Sequence, residues 1–165
     1  MKTILIVEDT QENLEAAKAY FSTIPGFEFV YATNRKEAEE FLPISYAVIT
    51  DRNMPYEGIP KPDFYEIENG YHIAVSAKVA GKPVIMITEH GELALGYVNA
   101  DNPNFSKAAE LVAQFSGRKM TSDERGQLSG VTHIGGVFYL NFTHRVSKKS
   151  QKAWEMAWQE LCKQF

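Results

Sequence analysis

The side chains best suited to chemistry stand where apolar runs stop. Tyr46 to Thr50 is a short β-branched run that closes on Asp51 and is followed at once by Met54-Pro55. Lys2 to Val7 closes on Glu8-Asp9, and Pro83 to Ile87 closes on Thr88. Runs of this length with turn formers beyond them read as buried strands rather than helices. If the three strands are parallel neighbours, Glu8, Asp9, Asp51 and Thr88 gather at their carboxyl ends, where open α/β sheets bind ligands. Three carboxylates so close repel one another, so either one holds its proton above the usual range or a cation lies between them. Hard divalent ions prefer oxygen ligands, and Mg²⁺ takes one or two carboxylates while keeping waters for a phosphorylated group.

The intervening segments supply the elements that would position this cluster. Thr10 suits a helix N-cap, and Leu14, Ala17 and Phe21 recur at helical spacing until Pro25-Gly26 ends the run. Phe27 to Ala32 reads as a second strand. Asn34 with Glu37 three residues on makes a capping-box-like start for a helix that turns Ala38, Phe41 and Leu42 inward. The order βαβαβ implies right-handed crossovers and a parallel sheet covered on both faces.

Ile4-Leu5-Ile6-Val7-Glu8-Asp9, Asp51-Arg52-Asn53-Met54-Pro55 and Lys82-Pro83-Val84-Ile85-Met86-Ile87-Thr88 resemble the receiver domain of two-component response regulators. The resemblance is close over 1–55 and 70–88 and weak between 89 and 131. It implies an α/β, doubly wound, flavodoxin-like fold: a five-stranded parallel sheet with helices on both faces, extended by a helical insertion. Residues 1–165 would form one receiver-like domain. By the same resemblance Glu8, Asp9, Asp51 and the backbone carbonyl of Asn53 hold Mg²⁺, or Mn²⁺ in its place. Asp51 accepts a phosphoryl group from a histidine kinase or phosphotransfer protein, and Thr88 contacts the new phosphate. Tyr139, or Phe138 beside it, would be the aromatic that rotates when Thr88 moves. No activity is implied beyond self-phosphorylation at Asp51 and loss of that phosphate.

Departures from the family pattern are local. The segment 56–69 carries Gly58, Pro60 and Pro62 and reads as an extra loop beside Asp51, with Gly70 opening the next helix at Ile73, Ala74 and Ala77. A second insertion lies within 89–131. It holds an ambiguous piece at Glu92–Val98 and a helix over Asn104–Phe115 with Phe105, Ala108, Val112 and Phe115 on one stripe. Thr121 and Glu124 suit a capping box, but Gly126 and Gly130 predict only a brief turn of helix. Gly135 to Phe142 reads as the last strand. A helix from about Ser147 to Lys163 follows, its Trp154 and Trp158 either filling the core edge or forming a contact such as a homodimer interface. Receivers carry a Lys at the end of the fifth strand, and none fits cleanly here. Arg52, Lys107, Arg145, Lys148 and Lys149 are the candidates to supply that charge.

The 165 residues, 44% hydrophobic, suffice for one domain with a sizeable core, and a net charge of −4 gives no general attraction to nucleic acid or acidic membranes. The lone Cys162 excludes an internal disulfide and a cysteine-based zinc site, which suits a reducing cytoplasm. Ile4 to Val7 is too short for a signal peptide or a membrane span. The terminal helix leaves no room for an appended DNA-binding domain, so output is expected through a downstream protein partner. Two other function classes compete. A pseudo-receiver would bind partners without phosphorylation, and the missing Lys favours it. A phosphatase of the haloacid dehalogenase type would need Asp-x-Asp on its first strand, whereas this chain offers Asp51-Arg52-Asn53 on the third.

Overall fold

The structure is a computed structural model that describes residues 1–58 and 66–165, with only the backbone described at Thr143 and His144. Six strands and six α-helices are defined among the described residues. The strands are β1 (Lys2–Val7), β2 (Phe27–Ala32), β3 (Ala47–Asp51), β4 (Val84–His90), β5 (Glu92–Val98) and β6 (Phe138–His144). The helices are α1 (Gln11–Phe21), α2 (Arg35–Phe41), α3 (Glu68–Val79), α4 (Phe105–Phe115), α5 (Ser122–Ser129) and α6 (Gln151–Cys162).

One sheet runs in the order β2-β1-β3-β4-β5-β6. The first four strands in that order are parallel, as the βαβ pattern implies. The expected five-stranded, wholly parallel sheet is corrected on the other side, because β5 is antiparallel to both β4 and β6. The chain reverses at Gly91, whose φ of +77° is strained for any residue with a Cβ. Glu92–Val98 thereby forms a hairpin with β4 and becomes an interior strand. It buries Leu93 and Leu95 on one face and Ala94 and Gly96 on the other, so its run lacks the alternation that marks a half-exposed strand.

Strand alternation splits the core into two layers. Leu5, Val7, Val48 and Met86 pack with α3, α4 and α5, while Ile4, Ile6, Ile49, Ile85 and Ile87 pack with α1 and α6. Trp154 and Trp158 are both buried in the second layer, where Phe21 meets each ring edge-on. The aromatics of the last helix therefore fill the core, and the homodimer expectation draws nothing from them. The Thr121 capping box forms as expected, but α5 runs through Gly126 and a π-helical turn continues it over Gly130–Ile134, more helix than the two glycines suggest.

The chain beyond β3 is fixed by two devices. The first turn of α3 lies so close to the Asp51-Arg52 backbone that a Cβ on Gly70 would stand 2.2 Å from the Arg52 carbonyl oxygen. Only glycine permits that approach. Arg35, fully buried, donates to Glu39 Oε1 and the Phe115 carbonyl and lies over the Tyr56 ring. Asn69 Nδ2 donates to the Met54 carbonyl, and the Arg35 N–H to the Pro55 carbonyl. The excursion expected over 56–69 falls largely on 59–65, outside the described residues.

Candidate functional site

Parallel pairing in register brings the ends of β1, β3 and β4 together, Val7 opposite Thr50 and Asp51 opposite Ile87. Glu8, Asp9 and Asp51 follow from that register and offer oxygens all within 4.8 Å of one another. Glu8 is fully buried and Asp51 nearly so. A cleft of about 200 Å³ opens over Asp9 and Asp51, walled in part by Asn13, Asn53, Thr88, Glu89 and Lys148. Larger hollows exist elsewhere, about 460 Å³ beside Arg145 and Phe142 and about 380 Å³ beside Glu39 and Tyr56, but neither holds such a cluster.

The cation absent from the sequence pattern is Lys148. Its Nζ donates to Glu8 Oε2 at 2.7 Å and lies 2.9 Å from Asp51 Oδ1, with the side chain only 6% exposed. It reaches the site from the turn between β6 and α6 rather than from a strand end. That is why no alignment to a fifth parallel strand finds it. Of the other candidates, Lys149 pairs with Glu12 at the surface, Lys107 with Glu110, and the Arg52 guanidinium lies over the Tyr71 ring. Arg145 borders the neighbouring hollow.

Each carboxylate is also held by the backbone. Glu8 Oε1 accepts from the Thr10 N–H at 2.9 Å, and Asp51 Oδ1 from the Arg52 N–H at 2.7 Å. Burial, then the neighbouring Glu8, pushes the Asp9 carboxyl up to about 6. Burial likewise raises Asp51 against the opposing pull of Lys148. Burial opposes the charge of Lys148 itself, but Asp51 and Glu8 together outweigh it and hold the ammonium protonated. With three carboxylates facing one ammonium, the cluster keeps a proton towards neutral pH unless another cation arrives.

The donor set fits a hard divalent ion: three convergent carboxylates, with Asn53 on the wall of the cleft that Asp9 and Asp51 line. Thr88 lines the same cleft and is 7% exposed. Tyr139 does not join the site. Strand β5 separates β6 from β4, and Tyr139 pairs with Tyr97, its ring stacked there at 5.4 Å and half exposed. Phe138 is buried against Tyr71. Sequence reasoning missed Asn13, which is 6% exposed on the cleft wall with its Oδ1 unpartnered. Its only sequence signal is a polar residue on the first turn of α1 next to apolar Leu14.

Among the described residues no helix is long and apolar enough to cross a membrane. No family model and no curated protein matches the chain. Two solved structures do. One is a response regulator receiver domain protein from Clostridium thermocellum, 20% identical, covering 81% of this chain and 96% of its own, with a TM-score of 0.39. The other is a fusion carrying the yeast Spc42 trimeric coiled coil, 17% identical, covering 81% of this chain and 78% of its own, with a TM-score of 0.38.

Proposed function

We propose that this protein is a phosphoacceptor of the receiver type, phosphorylated on Asp51 by a phosphohistidine-bearing kinase or phosphotransfer protein. The observation that carries the reading is the insertion of the Lys148 ammonium between Glu8 and Asp51, beside Asp9 and Thr88. The absence of such a cation was the one sequence feature favouring a pseudo-receiver, and Lys148 removes it. In the proposed reaction a carboxylate oxygen of Asp51 attacks the phosphorus in line. The P–N bond of the donor breaks, and the imidazole leaves with the electron pair. Mg²⁺ held by Glu8, Asp9, Asp51 and the Asn53 carbonyl would supply positive charge against the transferred oxygens.

The residues of the chain do the remaining work. Arg52 N–H and Lys148 orient the acceptor carboxylate. Lys148, leaving Glu8, pairs with the phosphoryl oxygens, and the Thr88 hydroxyl donates to another of them. An acyl phosphate carries about 1.5 to 2 negative charges where the carboxylate carried one, and projects them as three acceptor oxygens into the cleft, enough to shift these partners and the surface they support. That surface would meet a downstream protein, and the reaction suits the cytoplasm, where kinases of this kind deliver phosphate. Beryllofluoride, which completes a phosphoaspartate mimic, tests the site. Its ¹⁹F resonance should show a bound species with Mg²⁺ in the wild type and none in Asp51→Asn. A bound species that survives Asp51→Asn would remove Asp51 from the acceptor role.

A further inference from the structure

We propose that Glu89 is a positioning residue for Lys148, fixing the turn that delivers the ammonium to Glu8 and Asp51. The role of Lys148 rests on the reading above; the clamp itself rests on geometry. Lys148 is held by its main chain from two sides. Its N–H donates to Glu89 Oε2 at 3.2 Å, and its carbonyl accepts from Trp154 Nε1 at 2.9 Å. The same Glu89 oxygen accepts from Ser147 Oγ at 3.3 Å. Ser147 Oγ in turn accepts from the Lys149 N–H, and its carbonyl from Ser150, so the Glu89 carboxylate joins the turn before α6 at two successive residues while Trp154 holds its other side.

Glu89 follows Thr88 on β4 and lies on the rim of the same cleft, but it is not one of the three convergent carboxylates and is itself exposed. Its carboxylate accepts from two groups of the turn. This matters because Lys148 comes from a turn, where a strand ladder cannot set its register. A well-seated ammonium competes with a divalent cation for Glu8 and Asp51, and it stands ready for an anionic phosphoryl group. Loosening it should therefore move the two affinities in opposite directions.

The test compares wild type, Glu89→Ala and Glu89→Gln, following the indole N–H signals of Trp154 and Trp158 by ¹H–¹⁵N NMR. In the metal-free Glu89→Ala protein the Trp154 signal should shift while Trp158 stays. Mg²⁺ should then bind several-fold tighter and beryllofluoride several-fold weaker. Glu89→Gln retains an acceptor oxygen and should stay near wild type. A general loosening would weaken both ligands, and loss of rim charge alone would weaken Mg²⁺ and favour the anion. Either pattern, an unmoved Trp154 signal, or a Gln variant that behaves like Ala overturns the proposal. If wild type takes neither ligand, the phosphoacceptor reading fails, and the metal-free Trp154 signal still decides the clamp.

Discussion

Replacing Lys148 with Met keeps most of the stem and removes the charge, and its cost follows from the burial of the cluster. Glu8 is fully buried, Asp51 is 4% exposed, and the Lys148 side chain is their direct cationic partner. Removing one member of a buried pair costs about 3–5 kcal/mol, because the remaining charge is left uncompensated. Protonation limits that cost. Asp9 and Asp51 already hold protons above their unfolded values, and without the ammonium they hold them higher still. Between the unfolded and folded values the native state binds the extra proton, so stability falls as pH rises through that window. The deficit of Lys148→Met should be full only above the variant's own, further raised carboxyl values and shrink by roughly 1.4 kcal/mol per proton per pH unit as pH falls from there to the wild-type values. Mg²⁺ at a hundredfold excess over the variant's own Kd should raise its stability by about 3 kcal/mol, and the same concentration should raise the wild type less, because there the ammonium competes for Glu8 and Asp51. Urea unfolding followed by far-ultraviolet circular dichroism, at both pH extremes and with and without Mg²⁺, measures all of these terms. A deficit that ignores pH and Mg²⁺ would mean that Lys148 matters for packing rather than for neutralising the acids.

Other outcomes follow from the same structure. Gly70→Ala should destabilise the fold by about 1–3 kcal/mol or more, because its Cβ would meet the Arg52 carbonyl. It should also weaken Mg²⁺ binding by displacing the Asp51-Arg52 backbone, and calorimetric titration reads that effect. His72 is buried, with Nε2 donating to the Val112 carbonyl, and burial followed by the nearby Arg35 lowers its pKa to about 3. The unfolded chain therefore binds one more proton than the native state between that value and the ordinary histidine value. Stability from this group is complete above about pH 6.5 and is lost on acidification at roughly 1.4 kcal/mol per pH unit. Asp9 and Asp51 act with the opposite sign, so the slope is read as the difference between wild type and His72→Gln. Equal slopes would contradict the burial of a neutral imidazole.

The sequence discloses this site unevenly, for physical reasons. Interior parallel strands are apolar on both faces, so β1, β3 and β4 stand out as short runs, and the residues at which they stop are the carboxylates and Thr88. Strand β5 carries the same kind of run, Glu92 to Val98, but a run of that length does not state its direction. Only the turn at Gly91 makes it antiparallel. Once β5 lies between β4 and β6, a family-based placement of Tyr139 beside Thr88 cannot hold. Lys148 was legible only as one of several cations. It stands 140 residues from Glu8 in the chain, and its neighbour Lys149 has the same chemistry. The bonds of Glu89 and Trp154 to the turn, invisible in composition or periodicity, select which of the two enters.

Intact mass after incubation with acetyl phosphate and Mg²⁺ tests the central claim most directly. One phosphoryl group should be added to the wild type, none to Asp51→Asn, and none when the metal is chelated. An unmodified wild type at short reaction times, or an adduct that persists in Asp51→Asn, would contradict it.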